Sequence, residues 1–258
     1  MVVLHGGPAA AGEAAPIARG LADSFRVLEP WQRGSSDLPL TVARHVADLH
    51  ELVEGRCEGS RPALVGESWG AMLALAYAAT HSANAGPIVL IGCGSFDSAA
   101  RACMLANLER RMDEDTRRRL ERLPKEFSDP QELLKKRYEL TRTLYMVDPV
   151  ATDPGSEDCE SFDVLAHNQT WEDMMRLQEQ GVYPAAFAAI RSPVLMLHGA
   201  GDPHPGQMIR ASLEPYLPQL EYREWERCGH SPWLERAVRD QFFAVLRDWL
   251  ARHLVPAG

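Results

Sequence analysis

The sequence lacks the features that mark several large classes of protein. Its 258 residues carry a formal net charge of −9. This charge argues against a general nucleic-acid binder, which needs a basic face to displace counterions from phosphates. The chain has five cysteines. None of them forms a C-x-x-C pair, which argues against a disulfide framework and against a zinc site.

Long hydrophobic runs are also missing. No stretch approaches the roughly 18 apolar residues that a membrane span needs. The first residues, Met1–His5, have no basic region and too few apolar residues for a signal peptide. We therefore expect a chain without a membrane partner in the reducing cytoplasm.

Short apolar segments alternate with longer segments of helical periodicity. The predicted strands are Val2–His5, Phe25–Leu28, Ala63–Val65, Pro87–Ile91, Pro193–His198 and Leu220–Trp225. The predicted helices outside the middle of the chain span about 12–24, 41–56, 69–82, 205–217 and 232–254. Most of the strands are apolar almost throughout, which is typical of strands buried on both faces of a parallel sheet. We therefore expect an α/β fold with a mostly parallel sheet and helices on both faces.

The alternation stops between Ser95 and Ala189, where no strand pattern occurs. Helical segments are predicted at about 98–122, 129–147 and 170–180. A region of this length is too long for a plain loop in a compact domain. We interpret residues 95–189 as an inserted helical lid, here called the cap, and residues 1–94 and 190–258 as the core domain.

The strongest motif is Gly66-Glu67-Ser68-Trp69-Gly70, which has the pattern G-x-S-x-G. It follows a buried apolar segment and opens an Ala- and Leu-rich helix, which is the context of a nucleophile elbow. Such a turn strains the serine backbone, and the flanking glycines remove side chains that would clash where strand and helix cross. Ser68 Oγ would stand at the carboxyl end of the sheet, beside the positive end of a helix dipole.

The loop after the first strand, His5-Gly6-Gly7-Pro8, predicts part of an oxyanion hole. Acyl transfer needs two backbone N–H groups that point at the developing oxyanion, and one would come from Trp69. The other would come from Gly7, because Pro8 has no N–H and a glycine lets the backbone approach closely. A plain strand-to-helix turn is the alternative interpretation of this loop.

A candidate acid and a candidate base follow later strands. Asp202 comes just after the segment that ends at His198, and His230 lies between the last predicted strand and the last helix. The order Ser68, Asp202, His230 is the one expected with a nucleophile elbow. His230 would take the Ser68 proton and later give it to the leaving group. Asp202 would fix the tautomer and stabilise the imidazolium.

Other residues compete for these roles. Asp97, which follows the predicted strand Pro87–Ile91, is an alternative acid. His204 lies two residues after Asp202, and His198 lies at a strand end where a structural histidine is the simpler interpretation. The other histidines lie on helical or cap segments, and no H-E-x-x-H or similar spacing indicates a metal site. We therefore expect neither a metal nor a cofactor.

The combined motifs resemble the α/β-hydrolase superfamily, with matches from His5 to the last helix. His5–Pro8 and Gly66–Gly70 are similar in particular to the proline iminopeptidase-like branch, whose D-Q-R-G-x-G-x-S segment resembles Trp31–Ser36. The chain departs from that branch at Glu67, where glycine is common, and at Trp31, where the leading Asp is expected. The resemblance implies an α/β-hydrolase fold with an inserted helical cap.

The cap holds the most acidic part of the chain. From Asp148 to Met175 it has no Lys or Arg and eight acidic residues: Asp148, Asp153, Glu157, Asp158, Glu160, Asp163, Glu172 and Asp173. The resemblance to proline iminopeptidases implies cap carboxylates that hold the free amine of a substrate, and Trp171-Glu172 is similar to an aromatic–acid pair of that cap. With Glu67, these two residues are candidate substrate contacts. A solvated surface segment is the alternative interpretation.

We expect a serine hydrolase that cleaves a carboxylic ester with a small or medium acyl group through an acyl-enzyme. A proline iminopeptidase-like aminopeptidase is the first alternative, and thioester, lactone or C–C bond hydrolysis fits the same triad. A non-catalytic small-molecule receptor on the same fold is a further alternative, and measurable turnover would discriminate against it. The expected partner is a small-molecule substrate, with no nucleic acid and no membrane, and the oligomeric state is left open.

Overall fold

The computed structural model describes residues 1–150 and 162–254. In this part of the chain the sheet strands are Val2–Leu4 (β1), Leu64–Glu67 (β2), Ile88–Ile91 (β3), Val194–Gly199 (β4) and Leu220–Trp225 (β5). They lie in the order β1-β2-β3-β4-β5, and each neighbouring pair is parallel. Parallel strands end at one shared edge, where ligands bind in open α/β sheets. At this edge Leu4 pairs with Gly66, and Glu67 pairs with Ile91.

The α-helices of the described residues surround this sheet or lie above its edge. They are Ala15–Ala22 (α1), Val42–Arg56 (α2), Trp69–Thr80 (α3), Ser98–Arg111 (α4), Glu114–Glu126 (α5), Pro130–Thr141 (α6), Val164–Glu179 (α7), Gly206–Leu213 (α8) and Arg239–His253 (α9). None of these helices has the length and apolarity required to cross a bilayer.

The sheet is buried on both of its faces. Successive side chains of a strand point to opposite sides, so Val2 and Leu4 belong to one apolar cluster and Val3 to another. Helices α2, α3 and α8 contribute to the first cluster, while α1 and α9 contribute to the second. These three layers confirm the predicted parallel sheet with helices on both faces.

The predicted strand Phe25–Leu28 is wrong in length. Only Leu28 pairs with the sheet, through an isolated parallel bridge to Val2. Val3 N donates to Leu28 O at 2.8 Å, and Leu28 N donates to Met1 O at 3.0 Å. Phe25, Arg26 and Val27 form no bridge with the sheet, so the pairing covers one of the four predicted residues.

The cap is helical in its described residues 95–150 and 162–189, where no strand occurs. The helix predicted at about 98–122 is two helices, because Met112 is extended and Asp113 caps α5 by accepting a hydrogen bond from Thr116 N at 2.7 Å. The helix predicted near residue 170 already begins at Val164, since the Asp163 side chain accepts a hydrogen bond from Ala166 N. The domain boundaries at 95 and 189 stay a prediction.

Candidate active site

Ser68 lies between β2 and α3 in a strained backbone conformation. Its φ is 52° and its ψ is −114°, which is uncommon for a residue with a side chain. A Cβ on Gly66 would lie 2.2 Å from Gly70 O, and a Cβ on Gly70 would lie 2.2 Å from Leu4 O. Only glycines fit at both positions, so strand and helix cross closely and present Ser68 at the edge of the sheet.

The loop after β1 passes directly beside this turn. A Cβ placed on Gly6 would lie 3.0 Å from Ser68 Cβ. Gly7 has a φ of +109°, a conformation that is easily reached only by glycine. Trp69 is the first residue of α3, where N–H groups have no acceptor within the helix. The two N–H groups predicted for the oxyanion hole therefore belong to backbone segments that adjoin Ser68.

Gln32 connects this loop to the elbow. Its backbone N–H donates to His5 Nε2 at 3.0 Å, and its side-chain amide donates to His5 O at 2.8 Å. Trp69 Nε1 in turn donates to Gln32 Oε1 at 2.8 Å. Burial lowers the pKa of His5, which keeps the ring neutral and lets Nε2 accept. Gln32 was marked in the sequence only by the resemblance of its segment.

Asp202 and His230 are joined by a short hydrogen bond. His230 Nδ1 donates to Asp202 Oδ2 at 2.7 Å, and Asp202 Oδ1 accepts from His204 N at 2.9 Å. His198 Nε2 lies 3.2 Å from Asp202 Oδ2. Burial by itself would raise the pKa of Asp202, but the charges and hydrogen bonds of His230 and His198 hold that pKa well below its usual range. An ionised, anchored Asp202 keeps the proton on Nδ1 of His230 and leaves Nε2 for chemistry.

Aromatic and acidic groups enclose the His230 ring. The rings of His204 and Tyr145 lie 5.1 Å and 5.5 Å from it. His230 Nε2 lies 3.7 Å from Glu67 Oε1. Burial by itself would lower the pKa of His230, but the charge and hydrogen bond of Asp202 and the charges of Glu67 and Glu13 raise it to about 9.

The carboxyl groups of Glu67 and Glu13 both raise the pKa of the candidate base, His230. Glu67 is buried, and its Oε2 has no hydrogen-bond partner among the described residues. Burial and the charge of Glu13 raise the pKa of Glu67, and the charge of the adjacent His230 opposes this rise. Glu13 Oε1 accepts a hydrogen bond from Tyr138 of α6 at 2.5 Å, which links the cap to the core. Nothing in the local sequence around Glu13 pointed to this position.

The cap also returns to the core against the His230 loop. Glu235 is fully buried, and its carboxylate accepts hydrogen bonds from Val147 N, Asp148 N and Gly229 N at 2.9, 2.7 and 2.8 Å. His230 N donates to Tyr145 O at 2.8 Å. The loop that carries His230 is therefore fixed by the end of the cap helices. Sequence reasoning did not find Glu235, because its partners are far away along the chain.

Other candidate residues have different surroundings. Asp97 Oδ1 accepts a hydrogen bond from Ala100 N at 2.7 Å and so caps α4. Its carboxylate therefore serves the start of this helix and not the role of catalytic acid that was considered for it from the sequence. Trp171 is partly buried against the apolar cluster of α2 and α3, whereas Glu172 is exposed. Asp173 Oδ2 accepts from Val42 N at 2.8 Å, which makes it a contact between cap and core. Four of the eight acids, Asp153, Glu157, Asp158 and Glu160, lie outside the described residues.

The same region holds one cluster of potential ligand atoms among the described residues. Side-chain atoms of Asp202, His204 and His230 lie within 4.8 Å of one another. The Nδ1 proton of His230 already joins two members of this cluster. The 2.7 Å hydrogen bond is the arrangement expected of an acid–base pair.

Known proteins of similar sequence support a hydrolase. A proline iminopeptidase from Lactobacillus crispatus (strain ST1) is 25% identical over 278 residues, which cover 98% of this chain and 90% of the relative. A proline iminopeptidase from Lactobacillus helveticus (strain DPC 4571) is 23% identical, with the same shares covered.

Solved structures share the fold. A thermophilic esterase from Thermogutta terrifontis with malate bound has a TM-score of 0.62 and 19% identity, covering 98% of this chain and 90% of that chain. An esterase from Exiguobacterium antarcticum has a TM-score of 0.62 and 17% identity, covering 97% and 92%. The model of the family described as "Alpha/beta hydrolase family" matches residues 1–242. The chain therefore belongs to the alpha/beta hydrolase family.

Proposed function

We propose that this protein is a serine hydrolase that cleaves carboxylic esters with a small or medium acyl group. The observation that carries the proposal is the 2.7 Å hydrogen bond from His230 Nδ1 to Asp202 Oδ2, formed at the sheet edge where the strained Ser68 turn also lies. Nucleophile, base and acid come from three separate loops, and each loop supplies the residue type that acyl transfer needs. The esterases of similar fold are consistent with this assignment.

The mechanism uses only side chains and backbone of this chain. Neutral His230 takes the proton of Ser68 through Nε2, and Ser68 Oγ attacks the ester carbonyl carbon. The N–H groups of Gly7 and Trp69 hold the oxyanion of the tetrahedral intermediate. His230 then gives the proton to the leaving alcohol, and the acyl-enzyme forms. A water molecule activated by His230 releases the acid in the reverse order of steps.

The test is hydrolysis of a short-chain p-nitrophenyl ester by the unsubstituted protein and by Ser68→Ala. We expect turnover that falls by about 10³-fold or more in the variant, because the acyl-enzyme can no longer form. Unfolding by urea should show that both proteins are folded. Turnover that survives in Ser68→Ala would refute Ser68 as the nucleophile. Absence of turnover in the unsubstituted protein would refute simple esters as substrates and favour a specialised substrate or a receptor.

A second candidate function is an aminopeptidase of the proline iminopeptidase type. The observation that favours it is the carboxyl group of Glu67, whose Oε1 lies 3.7 Å from His230 Nε2, since a carboxylate attracts a substrate amine. The names of the similar Lactobacillus proteins point the same way. Proline p-nitroanilide, assayed beside the ester, discriminates the two activities. Faster turnover of the anilide than of the ester would move the assignment to aminopeptidase.

A further inference from the structure

Glu67 faces the nitrogen of His230 that has to accept the serine proton. Glu67 Oε1 lies 3.7 Å from His230 Nε2, on the opposite side of the ring from the Asp202 contact. In the described part of the chain, no hydrogen bond joins Ser68 Oγ to this nitrogen. Catalytic hydrogen bonds are often long before substrate binds. In the free protein, Nε2 therefore has a carboxylate as its charged neighbour.

The position of Glu67 is fixed by close packing. It is the last residue of β2, directly before Ser68, and its side chain is 4% exposed. A Cβ on Gly6 would lie 2.3 Å from Glu67 Oε2, so the glycine loop closes over the carboxyl group. The other oxygen faces His230. A buried carboxylate with few hydrogen-bond donors is stabilised mainly by a neighbouring positive charge, and the imidazolium of His230 is that charge.

We propose that Glu67 is a positioning residue that holds a proton on His230 Nε2 in the resting site, and so sets the pH above which Ser68 can be activated. The imidazolium then lies between two carboxylates, Asp202 at Nδ1 and Glu67 at Nε2. The base becomes competent when the Nε2 proton leaves to solvent, after which the freed lone pair accepts the Ser68 proton. This inference rests on the proposed function only in taking His230 as the base.

The other groups around His230 do not replace Glu67 in this role. Asp202 already occupies Nδ1, and Glu13 contributes a weaker charge effect than Glu67. The ring of His204 is stacked against His230, and burial lowers the pKa of His204 to about 4, so that ring is neutral. Tyr145 packs edge-on, and burial raises the pKa of its hydroxyl to about 12. His198 contacts Asp202 rather than Nε2.

The test is a titration of the His230 imidazole by NMR, in the unsubstituted protein and in Glu67→Gln, with His230→Gln used to assign the signal. Gln has the shape of Glu but no charge. We expect His230 in the unsubstituted protein to lose its proton well above the ordinary value of about 6.5. In Glu67→Gln the midpoint should fall by about one unit or more, because an opposite charge at this distance is removed. Glu121→Gln, which changes an exposed residue of α5, should leave the midpoint unchanged.

The acidic limb of kcat/KM for the ester should move with the midpoint. Relative to its own alkaline plateau, Glu67→Gln should be up to about 10-fold more active at neutral pH, as a shift of one unit requires. A purely structural role of Glu67 would lower activity at every pH without moving the limb. The proposal would be overturned by a His230 titration midpoint near the ordinary value of about 6.5 in the unsubstituted protein. It would also be overturned by the same midpoint in the unsubstituted protein and in Glu67→Gln.

Two further measurements distinguish a failure of this proposal from a failure of folding or of the proposed function. If Glu67→Gln is unfolded, Glu67→Met supplies an uncharged side chain of similar length, and the same midpoint shift is expected. If no ester is hydrolysed, the proposed function fails, but the NMR titration still decides whether Glu67 holds the proton on His230.

Discussion

Helices α3 and α6 are both twelve residues long, but they are held in the protein in different ways. Ten residues of α3 are buried, and the helix is apolar on all sides. No residue of α6 is buried, and its contact with the core includes the hydrogen bond of Tyr138 to Glu13. Ser68, the proposed nucleophile, is therefore followed directly by a closely packed element, whereas α6 meets the core through a polar side chain. Substitutions should cost stability by packing at the elbow and by single hydrogen bonds where the cap meets the core through polar side chains.

The largest effect is expected at the crossing of β2 and α3. Gly70→Ala puts a Cβ 2.2 Å from Leu4 O, a backbone atom that cannot move without the sheet. We expect a loss of about 3 kcal/mol or more in the free energy of unfolding, or no folded protein. Urea unfolding measures it.

Gly55→Ala is the matched control for Gly70→Ala. Gly55 lies in α2, and a Cβ there would meet nothing within 4 Å. Alanine should stabilise this helix by about 0.5–1 kcal/mol, because it loses less backbone entropy than glycine. Equal changes in the free energy of unfolding at the two glycines would show that close packing does not determine the geometry of the turn at Ser68.

The next largest loss of stability is expected where the end of the cap contacts the core domain. Glu235→Gln replaces a buried carboxylate that accepts from three backbone N–H groups by an amide that presents one of them with a donor. We expect the free energy of unfolding to fall by about 2–3 kcal/mol, the range for hydrogen bonds to a buried charged group. Ester turnover should fall as well, since Gly229 precedes His230. Glu226→Gln, at an exposed position, should change neither quantity.

Much of the elbow and the sheet could be predicted because the signals are local. The buried strands, the G-x-S-x-G turn and the positions of Asp202 and His230 after β4 and β5 follow from segments of a few residues. The parallel sheet with helices on both faces is confirmed, and the hydrogen bond between Asp202 and His230 is present. The strand at Phe25–Leu28 was wrong in length, because apolar composition does not show how many residues of a segment pair with a neighbouring strand.

The cap contacts could not be predicted in the same way. Glu235 binds amides 87 and 88 residues away in the sequence, and Glu13 meets Tyr138 across 125 residues. No periodicity or motif reports such pairs, because they depend on how the cap is placed over the core. The start of α7 was also missed, since Asp163 caps it from an acidic segment that resembled a loop.

The pH dependence of stability should report the protonation of His230. The charge of Asp202, against the effect of burial, raises the pKa of His230 to about 9. His230 therefore binds its proton more tightly in the folded state than in the unfolded state, where its pKa is about 6.5. Its contribution to stability is complete below about pH 6.5 and is lost as pH rises to about 9, so the free energy of unfolding should fall across this range. His230→Gln should flatten this fall, and an unchanged slope would contradict the assignment.

The smallest effects are expected for neighbouring acids of α7. Asp173 accepts a hydrogen bond from Val42 N at the start of α2. Asp173→Asn should therefore lower the free energy of unfolding by about 1 kcal/mol, because this hydrogen bond at the helix N-terminus is weakened. Glu172 is exposed, and Glu172→Gln should change stability by less than about 0.5 kcal/mol. The two residues are adjacent in the sequence, and each substitution removes one negative charge. If Glu172→Gln instead slows hydrolysis of proline p-nitroanilide and leaves ester hydrolysis unchanged, this residue holds the substrate amine, and the cap contributes to chemistry as well as to attachment.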